Sequence, residues 1–124
     1  MRRSILIAAS LSGFTIFASF ATSAAAAGYG AIAYDGSNGR WGDSWRYSSV
    51  AGANERALNE CGSGGCKVVI EIGPGQCGAL ATAGDPSGWG AATRNTRDGA
   101  ELGAMQACQQ ANTGQCSIQA SDCN

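Results

Sequence analysis

The chain has 124 residues, of which 44% are hydrophobic, and its eight basic and nine acidic residues leave a net charge of −1. This balance argues against a nucleic-acid-binding protein, because electrostatic binding of phosphates needs a surplus of positive charge. The sequence contains no histidine, which excludes the usual Ser-His-Asp and Cys-His catalytic arrangements.

The first 27 residues have the three parts of a secretion signal. Two arginines precede an apolar run from Ile5 to Phe20, and an alanine run ends at Ala27. This pattern predicts cleavage after Ala27. We therefore expect residues 1–27 to be removed, leaving one domain of residues 28–124 with a net charge of −3 and no membrane contact. An uncleaved anchor is the alternative, because the apolar run is near the lower length limit for spanning a bilayer.

The first half of this domain has the pattern of a β-β-α-β unit. The turn-forming run from Asp35 to Gly39 favours a hairpin loop between two strands. Ser48 and Ser49 suit helix N-caps, and apolar residues at helical spacing follow them as far as Gly62, which ends the helix. The predicted elements are strands at residues 30–34 and 40–45, a helix after Ser49, and a strand at residues 66–72.

The second half repeats the same order of landmarks. Trp41 aligns with Trp89, and Cys61 aligns with Cys108 once one residue is dropped. We therefore predict an α+β fold, with two pseudo-repeated β-β-α-β units packed into one small disulfide-stapled domain. The units cover about residues 29–72 and 77–123, and the second has strands near 77–82, 88–93 and 116–121 with a helix capped by Thr96.

All six cysteines follow the signal. An even count in a short exported chain predicts three disulfides, whereas a zinc site would need a C-x-x-C pair that is missing here. In each unit one cysteine closes the helix and the next opens the last strand, so two equivalent local bridges are the simplest pairing. A bridge from Cys61 to Cys108 is the main competitor. The predicted pairs are Cys61 with Cys66, Cys108 with Cys116, and Cys77 with Cys123.

Any acid and base chemistry in this chain would have to rest on carboxylates. The candidates are Asp35, Asp43, Glu71 and Asp85. Aspartate is also favoured in solvated turns, which is the simpler explanation for these residues. We therefore predict no catalytic residues, and we expect neither a cofactor nor a bound metal.

The aromatic residues offer a candidate binding site. Trp41 and Trp45 share one face of a predicted strand, and that face belongs to the core if it lies against the helix. If it is exposed, Trp45, Arg46 and Tyr47 form a patch of the kind that anchors protein or glycan partners. Trp45 aligns with Thr93, so Trp45 is the better candidate for a site that only one unit carries.

A series of motifs resembles the bacterial domain of unknown function 4189. The motifs are G-Y-G-A-I-A-Y-D, R-W-G-x-S-W, C-x-V-V and C-G-A-L-A…G-W-G, at Gly28–Asp35, Arg40–Trp45, Cys66–Val69, Cys77–Ala81 and Gly88–Gly90. The resemblance covers essentially the whole exported chain. It implies a secreted or periplasmic protein, and it implies no particular activity.

We expect a secreted or periplasmic, non-enzymatic binding protein whose partner is another protein, on which it acts as an inhibitor or an effector. A small carboxylate-dependent cell-wall hydrolase is one alternative, and it requires Asp35, Asp43 or Asp85 to converge in one cleft. A structural exported domain without a specific ligand is the other, and it predicts a polar surface without an aromatic patch.

Overall fold

A computed structural model describes residues 28–111 and 114–124, so the predicted signal segment lies outside the described residues. Within them the order β-β-α-β occurs twice, which confirms the predicted fold class. The first unit contains β1 (Tyr29–Tyr34), β2 (Trp41–Tyr47), α1 (Val50–Cys61) and β3 (Lys67–Ile72). The second unit contains β4 (Cys77–Ala83), β5 (Trp89–Arg94), α2 (Arg97–Ala111) and β6 (Cys116–Cys123).

Each unit forms its own antiparallel sheet of three strands, in the orders β2-β1-β3 and β5-β4-β6. The central strand of each sheet pairs with the last strand of its unit through a register shift. The shift lies between Ile32 and Ala33 in β1, and between Leu80 and Ala81 in β4. These positions align in the two halves of the sequence, so the units share an irregularity as well as an order of elements.

The two sheets pack against each other, and each carries its helix on the outer face. Successive residues of a strand point to opposite faces of the sheet. Ala31 and Ala33 therefore pack with α1, whereas Ile32 and Tyr34 pack with Leu80 of the second sheet. We call the layer between the sheets the inter-sheet core; its buried members are Ile32, Tyr34, Ile72, Leu80 and Ala120.

The helices begin where the sequence predicts. The Ser49 hydroxyl accepts a hydrogen bond of 3.0 Å from the N–H of Gly52, and the Thr96 hydroxyl accepts one of 3.1 Å from the N–H of Gly99. Helix α1 ends at Gly62, whose φ of 72° is a left-handed conformation that glycine adopts without steric cost. Neither α1 nor α2 is long and apolar enough to cross a membrane.

Three disulfides staple the units. The two local bridges occupy equivalent places, although Cys61 is the last residue of α1 whereas Cys108 lies in the last turn of α2, which continues to Ala111. The third bridge joins directly paired residues of β4 and β6. The structure therefore has the pairs that the repeat predicts, and Cys61 bonds within its own unit rather than to Cys108. The bonded pairs are Cys61–Cys66, Cys108–Cys116 and Cys77–Cys123.

Polar contacts join the two units at both ends of β1. At one end the Tyr34 hydroxyl donates a hydrogen bond of 2.7 Å to the carbonyl of Pro86. At the other end Asn124 follows β6 and reaches the first unit. Its Oδ1 accepts a hydrogen bond of 3.0 Å from the N–H of Arg46, and its Nδ2 donates bonds of 3.0 Å to the carbonyls of Ile72 and Gly73.

Candidate functional site

The three residues of the candidate patch point in different directions. Trp45 is half-buried and packs against the inter-sheet core, and its indole N–H donates a hydrogen bond of 3.0 Å to Asp43. Tyr47 is half-buried with the residues that pack under α1. Only Arg46 is exposed. The structure therefore does not bring Trp45, Arg46 and Tyr47 together as one aromatic patch.

A β-bulge explains why Trp45 and Tyr47 lie on opposite faces. The pairing of β1 with β2 shifts register between Tyr29 and Ala31, and Arg46 in the bulged segment has a φ of 60°. A bulge inserts one residue into the strand, and this changes the alternation of side chains beyond it. The prediction assumed a regular strand, in which residues two apart share a face. The sequence left two orientations open for Trp41 and Trp45, toward solvent or toward the helix. The structure shows neither, because both residues pack toward the other sheet.

The candidate carboxylates divide into separate groups. Asp43 lies beside Trp45, and Glu71 accepts a hydrogen bond of 3.1 Å from the side chain of Asn54. Asp35 and Asp85 follow β1 and β4, and their charges both act on Tyr34. Among the four candidates, Asp35 and Asp85 are thus the ones that share an end of the inter-sheet layer.

That end contains a cavity of about 430 Å³, which we call the hairpin pocket. Its walls come from the β1–β2 hairpin, the start of β3 with the loop before it, and the first residue of β5. A volume of this size lies in the range of roughly 300–1,000 Å³ that is typical of ligand sites. The lining residues are Tyr34, Asp35, Gly36, Ser37, Gly65, Lys67, Val69 and Trp89.

The carboxylate of Asp35 is held in place by hydrogen bonds. Its Oδ1 accepts bonds from the backbone N–H of Ser37 at 2.9 Å and from the Ser37 hydroxyl at 2.6 Å, and its Oδ2 accepts one from the Ser63 hydroxyl. The hydrogen bonds from Ser37 and Ser63 lower the pKa of the Asp35 carboxyl to about 2, because they stabilise its charged form. Asp35 is therefore a fixed negative charge in the pocket wall at neutral pH.

Gly65 is close enough to this carboxylate that no side chain fits between them. A Cβ at Gly65 would lie 2.6 Å from Oδ2 of Asp35. The loop from Gly62 to Gly65 can therefore cover Asp35 only because glycine stands at this position. The local disulfide from Cys61 to Cys66 closes the same loop.

Two aromatic rings from different units meet at the pocket. The ring centres of Tyr34 and Trp89 lie 5.7 Å apart at an interplanar angle of 54°. A Cβ at Gly36 would lie 3.9 Å from the indole nitrogen of Trp89, so the two hairpin loops also approach each other here. Burial, together with the charges of Asp35 and Asp85, raises the pKa of the Tyr34 hydroxyl. Tyr34 is therefore neutral, and its hydroxyl proton is donated to Pro86.

Lys67 contributes the positive charge of the pocket. It is exposed, it pairs with Tyr34 across the sheet, and it forms no ion pair with any residue in the described part of the chain. Tyr34 and Asp35 are only 3% and 4% exposed, so the groups of this opening that a small polar or charged ligand can reach are chiefly the Lys67 ammonium and the half-buried ring of Trp89. In residues 28–111 and 114–124, no cluster of three or more His, Cys, Asp or Glu side chains is arranged to hold a metal ion.

The sequence interpretation missed Lys67, Tyr34 and Trp89 as site residues. Two signals pointed to this end of the molecule. Lys67 is the only lysine in the sequence. The two hairpin loops also share an Asp-x-Ser turn, because Ser87 donates its N–H and its hydroxyl to Asp85 as Ser37 does to Asp35.

Comparison with known proteins gives one family and partial relatives. The family described as "Domain of unknown function (DUF4189)" matches residues 29–123. Over 53 residues the chain is 49% identical to Protein Mb1300c of Mycobacterium bovis and to Protein MT1307 and Protein Rv1269c of Mycobacterium tuberculosis. Each match covers 43% of this chain and 40% of the relative, so the chain matches less than half the length of these curated relatives. No solved structure matches the chain.

Proposed function

Since this chain belongs to the DUF4189 family, whose description assigns no activity, we propose its function from its own geometry: it is a non-enzymatic binding protein that acts on another protein through the hairpin pocket. The pocket itself carries this proposal. It combines a fixed carboxylate, a lysine without an ion-pair partner among the described residues, and the half-buried ring of Trp89, which packs on the buried ring of Tyr34. Aromatic anchors beside oriented polar groups are typical of protein-binding sites.

The proposed location is secreted or periplasmic. Three disulfides in a domain of this size are typical of proteins in oxidising compartments. The predicted signal at residues 1–27 agrees with this location.

The electrostatics of the pocket favour binding over hydrolysis. A carboxylate pair that hydrolyses glycans needs one member with a raised pKa, so that it can donate a proton. Hydrogen bonds from Ser37 and Ser63 lower the pKa of Asp35, and bonds from the N–H and hydroxyl of Ser87 lower the pKa of Asp85. Both carboxyls are therefore ionised at neutral pH, which suits recognition of a partner better than acid catalysis.

The scaffold also suits an inhibitor or an effector. The pocket walls belong to strands, to a disulfide-closed loop and to the β1–β2 hairpin loop, which the hydrogen bonds of Asp35 hold, so little conformational entropy is lost when a partner binds. The rings of Tyr34 and Trp89 are likewise held by the inter-sheet core before any contact is made.

Affinity capture with a matched pair of glycine variants tests this function. Gly36 lines the pocket and its Cβ position has only ordinary contacts, so Gly36→Gln fills the opening without a backbone clash. Gly84 lies in the other hairpin loop, where a Cβ meets nothing within 4 Å, so Gly84→Gln is the control. The full chain, expressed for export and oxidised, is used to capture partners from secreted and envelope fractions.

We expect the wild type and Gly84→Gln to retain the same protein, and Gly36→Gln to lose it. If Arg46→Glu loses the partner and Gly36→Gln does not, the binding site is instead the exposed surface around Arg46, at the opposite end of β1. If no protein is retained specifically, or if Gly36→Gln retains it as well as the wild type does, the proposed role of the pocket is wrong.

A further inference from the structure

Strand β3 is an open edge of the first sheet, because the strand order is β2-β1-β3. Half of the N–H and C=O groups of an edge strand point away from its neighbour and can pair with another strand. Apart from its pairing with β1, the backbone of β3 accepts one hydrogen bond within residues 28–111 and 114–124, from the side chain of Asn124 to the carbonyl of Ile72. The rest of this edge is therefore available to a further strand.

The pairing of the strands identifies Glu71 as a residue whose backbone points to the open edge. The N–H of Asp35 donates a hydrogen bond to the carbonyl of Arg40, immediately beyond the pairing of β1 with β2. Hydrogen-bonded pairs alternate along an antiparallel ladder, so Ala31 bonds toward β2. Glu71 lies opposite Ala31 in the pairing of β1 with β3. The backbone N–H and C=O of Glu71 therefore point away from β1.

The equivalent edge of the second unit, β6, is polar where β3 is apolar. Val68, Val69 and Ile70 are consecutive and half-buried in β3. At the aligned part of β6, Ser117 and Gln119 are exposed, and the Gln119 side chain donates a hydrogen bond of 3.4 Å to the Ser117 hydroxyl. Native proteins protect edge strands with polar residues, charges or proline. The middle of β3 has none of these and is β-branched, which favours strand pairing.

The helices cover the other two edges more closely than they cover β3. Helix α1 packs directly on the backbone of β2 at Gly42, and α2 does so on β5 at Gly90. Helix α1 lies chiefly over β1 and β2, which leaves β3 at its margin. Leu58 is 37% exposed and follows Asn54 by one helical turn, and Asn54 bonds to Glu71. An apolar side chain of α1 therefore borders the same edge.

We propose that β3 binds an extended segment of the protein partner as a fourth strand of the first sheet, with an acidic side chain of that segment beside Lys67. This inference rests on the proposed function and names the form of the partner. Lys67 and Val69 belong to β3 and also line the hairpin pocket, so the edge and the pocket are continuous. In such complexes main-chain hydrogen bonds give affinity, and adjoining pockets give specificity.

The charges of β3 determine which side chain suits the bound strand. Lys67 has no ion pair among the described residues. Glu71, in the same strand, already accepts a hydrogen bond from Asn54. The charge that β3 leaves for a partner is therefore positive, and an acidic residue complements it.

Proline variants at matched positions test the backbone pairing in the capture experiment. Glu71→Pro removes an N–H that points to the open edge, where proline is tolerated. Ser121→Pro is the control, because Ser121 lies opposite Ala79 in β6 as Glu71 lies opposite Ala31 in β3. Asn54→Ala removes the side-chain contact of Glu71 and keeps its N–H. We expect Glu71→Pro to lose the partner, and Ser121→Pro and Asn54→Ala to retain it.

A peptide probe tests strand addition without an identified partner and without a proline variant. The oxidised full chain is titrated with acetyl-Thr-Val-Thr-Glu-Thr-Val-Thr-amide and followed by NMR. We expect saturable shifts and slower hydrogen exchange at the amide of Glu71, with no change at the amide of Ser121. Replacing the peptide glutamate by glutamine should weaken binding by up to about fivefold, because one exposed ion pair with Lys67 is lost.

N-methylated peptides distinguish a paired strand from a peptide that binds by its side chains. The N–H groups of alternate residues point to opposite sides of a strand. Methylation of the valine and glutamate nitrogens, or else of the threonine nitrogens, should abolish binding for one of the two sets and preserve it for the other. If both methylated peptides bind like the parent, or if neither the partner nor the peptide slows exchange at Glu71, the proposal is wrong.

The outcomes separate this proposal from the proposed function. If Gly36→Gln abolishes capture and Glu71→Pro does not, the pocket binds a protein without strand addition, and the inference about β3 is wrong. If the peptide binds as expected but no partner is captured, strand recognition stands and the proposed function fails. If the wild type sediments as a dimer and Glu71→Pro as a monomer, the added strand comes from a second copy of the chain, which overturns the proposed partner.

Discussion

The backbone of Gly42 in β2 lies so close to the amide nitrogen of Cys61 in α1 that a Cβ at position 42 would overlap it. Gly90 has the same relationship to Cys108 in the second unit. In both units the helix therefore packs directly on strand backbone. We expect Gly42→Ala to lower the free energy of unfolding by about 1–3 kcal/mol, because the added methyl must push the helix outward. Urea unfolding of the oxidised protein measures this loss.

The repeat supplies controls for this prediction. Gly90→Ala should cost a similar amount, because it creates the same overlap in the second unit. Gly64→Ala should change stability little, since no atom lies within 4 Å of its Cβ position. If Gly64→Ala were as costly as Gly42→Ala, the loss would not come from the contact between helix and strand.

The three disulfides should contribute unequally to stability. Residues 77 and 123 are separated by 46 positions, against five for residues 61 and 66. In the chain-entropy model the longer loop is worth about 4 kcal/mol and the shorter about 2 kcal/mol. We therefore expect the paired change Cys77→Ala with Cys123→Ala to lower the unfolding free energy by about 2 kcal/mol more than Cys61→Ala with Cys66→Ala. Equal losses in chemical denaturation would contradict this account.

Sequence patterns predicted the local structure well because each signal acts over a few residues. Ser49, Gly62 and Thr96 mark helix ends through contacts with their own neighbours. The disulfide pairs followed from the repeat, because a cysteine at the end of a helix and one at the start of the next strand are separated by a short loop. Such relations do not depend on how the two units pack.

The candidate site depends on contacts that no local pattern contains. Tyr34 and Trp89 are far apart in sequence and meet only because the two sheets pack face to face. The bulge at Arg46 turned Trp45 and Tyr47 to opposite faces, and no glycine marks that position. The sequence therefore favoured Trp45, Arg46 and Tyr47 of β2 as the binding site, whereas the hairpin pocket lies at the other end of β1.

Arg46 should be a site where glycine is tolerated or preferred. Its φ of 60° is costly for a residue with a side chain, by about 1–2 kcal/mol. Arg46→Gly removes this cost and also a weak exposed ion pair with Asp122. We expect thermal unfolding to show unchanged or higher stability, by up to about 1 kcal/mol.

Arg94 is the matched control, because it aligns with Arg46 and has no positive φ. Arg94→Gly should lower stability by about 0.5–1 kcal/mol, the usual cost of glycine in a strand. A clear loss of stability in Arg46→Gly would mean that the left-handed conformation is not strained.

Acid should destabilise the protein through Asp35. Its pKa is lowered from 3.8 in the unfolded chain to about 2 by hydrogen bonds from Ser37 and Ser63. A carboxyl with a lower pKa in the folded state stabilises the fold above its unfolded pKa, and this contribution is lost as the pH falls through the folded value. The loss therefore lies between about pH 4 and about pH 2. We expect the Tm of the wild type to fall across this interval.

Asp35→Asn tests whether Asp35 causes that fall. The amide cannot ionise, so the variant should be less stable than the wild type at pH 7 and should lose less Tm between about pH 4 and about pH 2. Glu55→Gln changes an exposed carboxyl on α1 and is the matched control, which should follow the wild-type profile. If Asp35→Asn loses Tm as steeply as the wild type, the hydrogen bonds to Asp35 do not control acid stability, and the charge of the hairpin pocket is not held as the structure indicates.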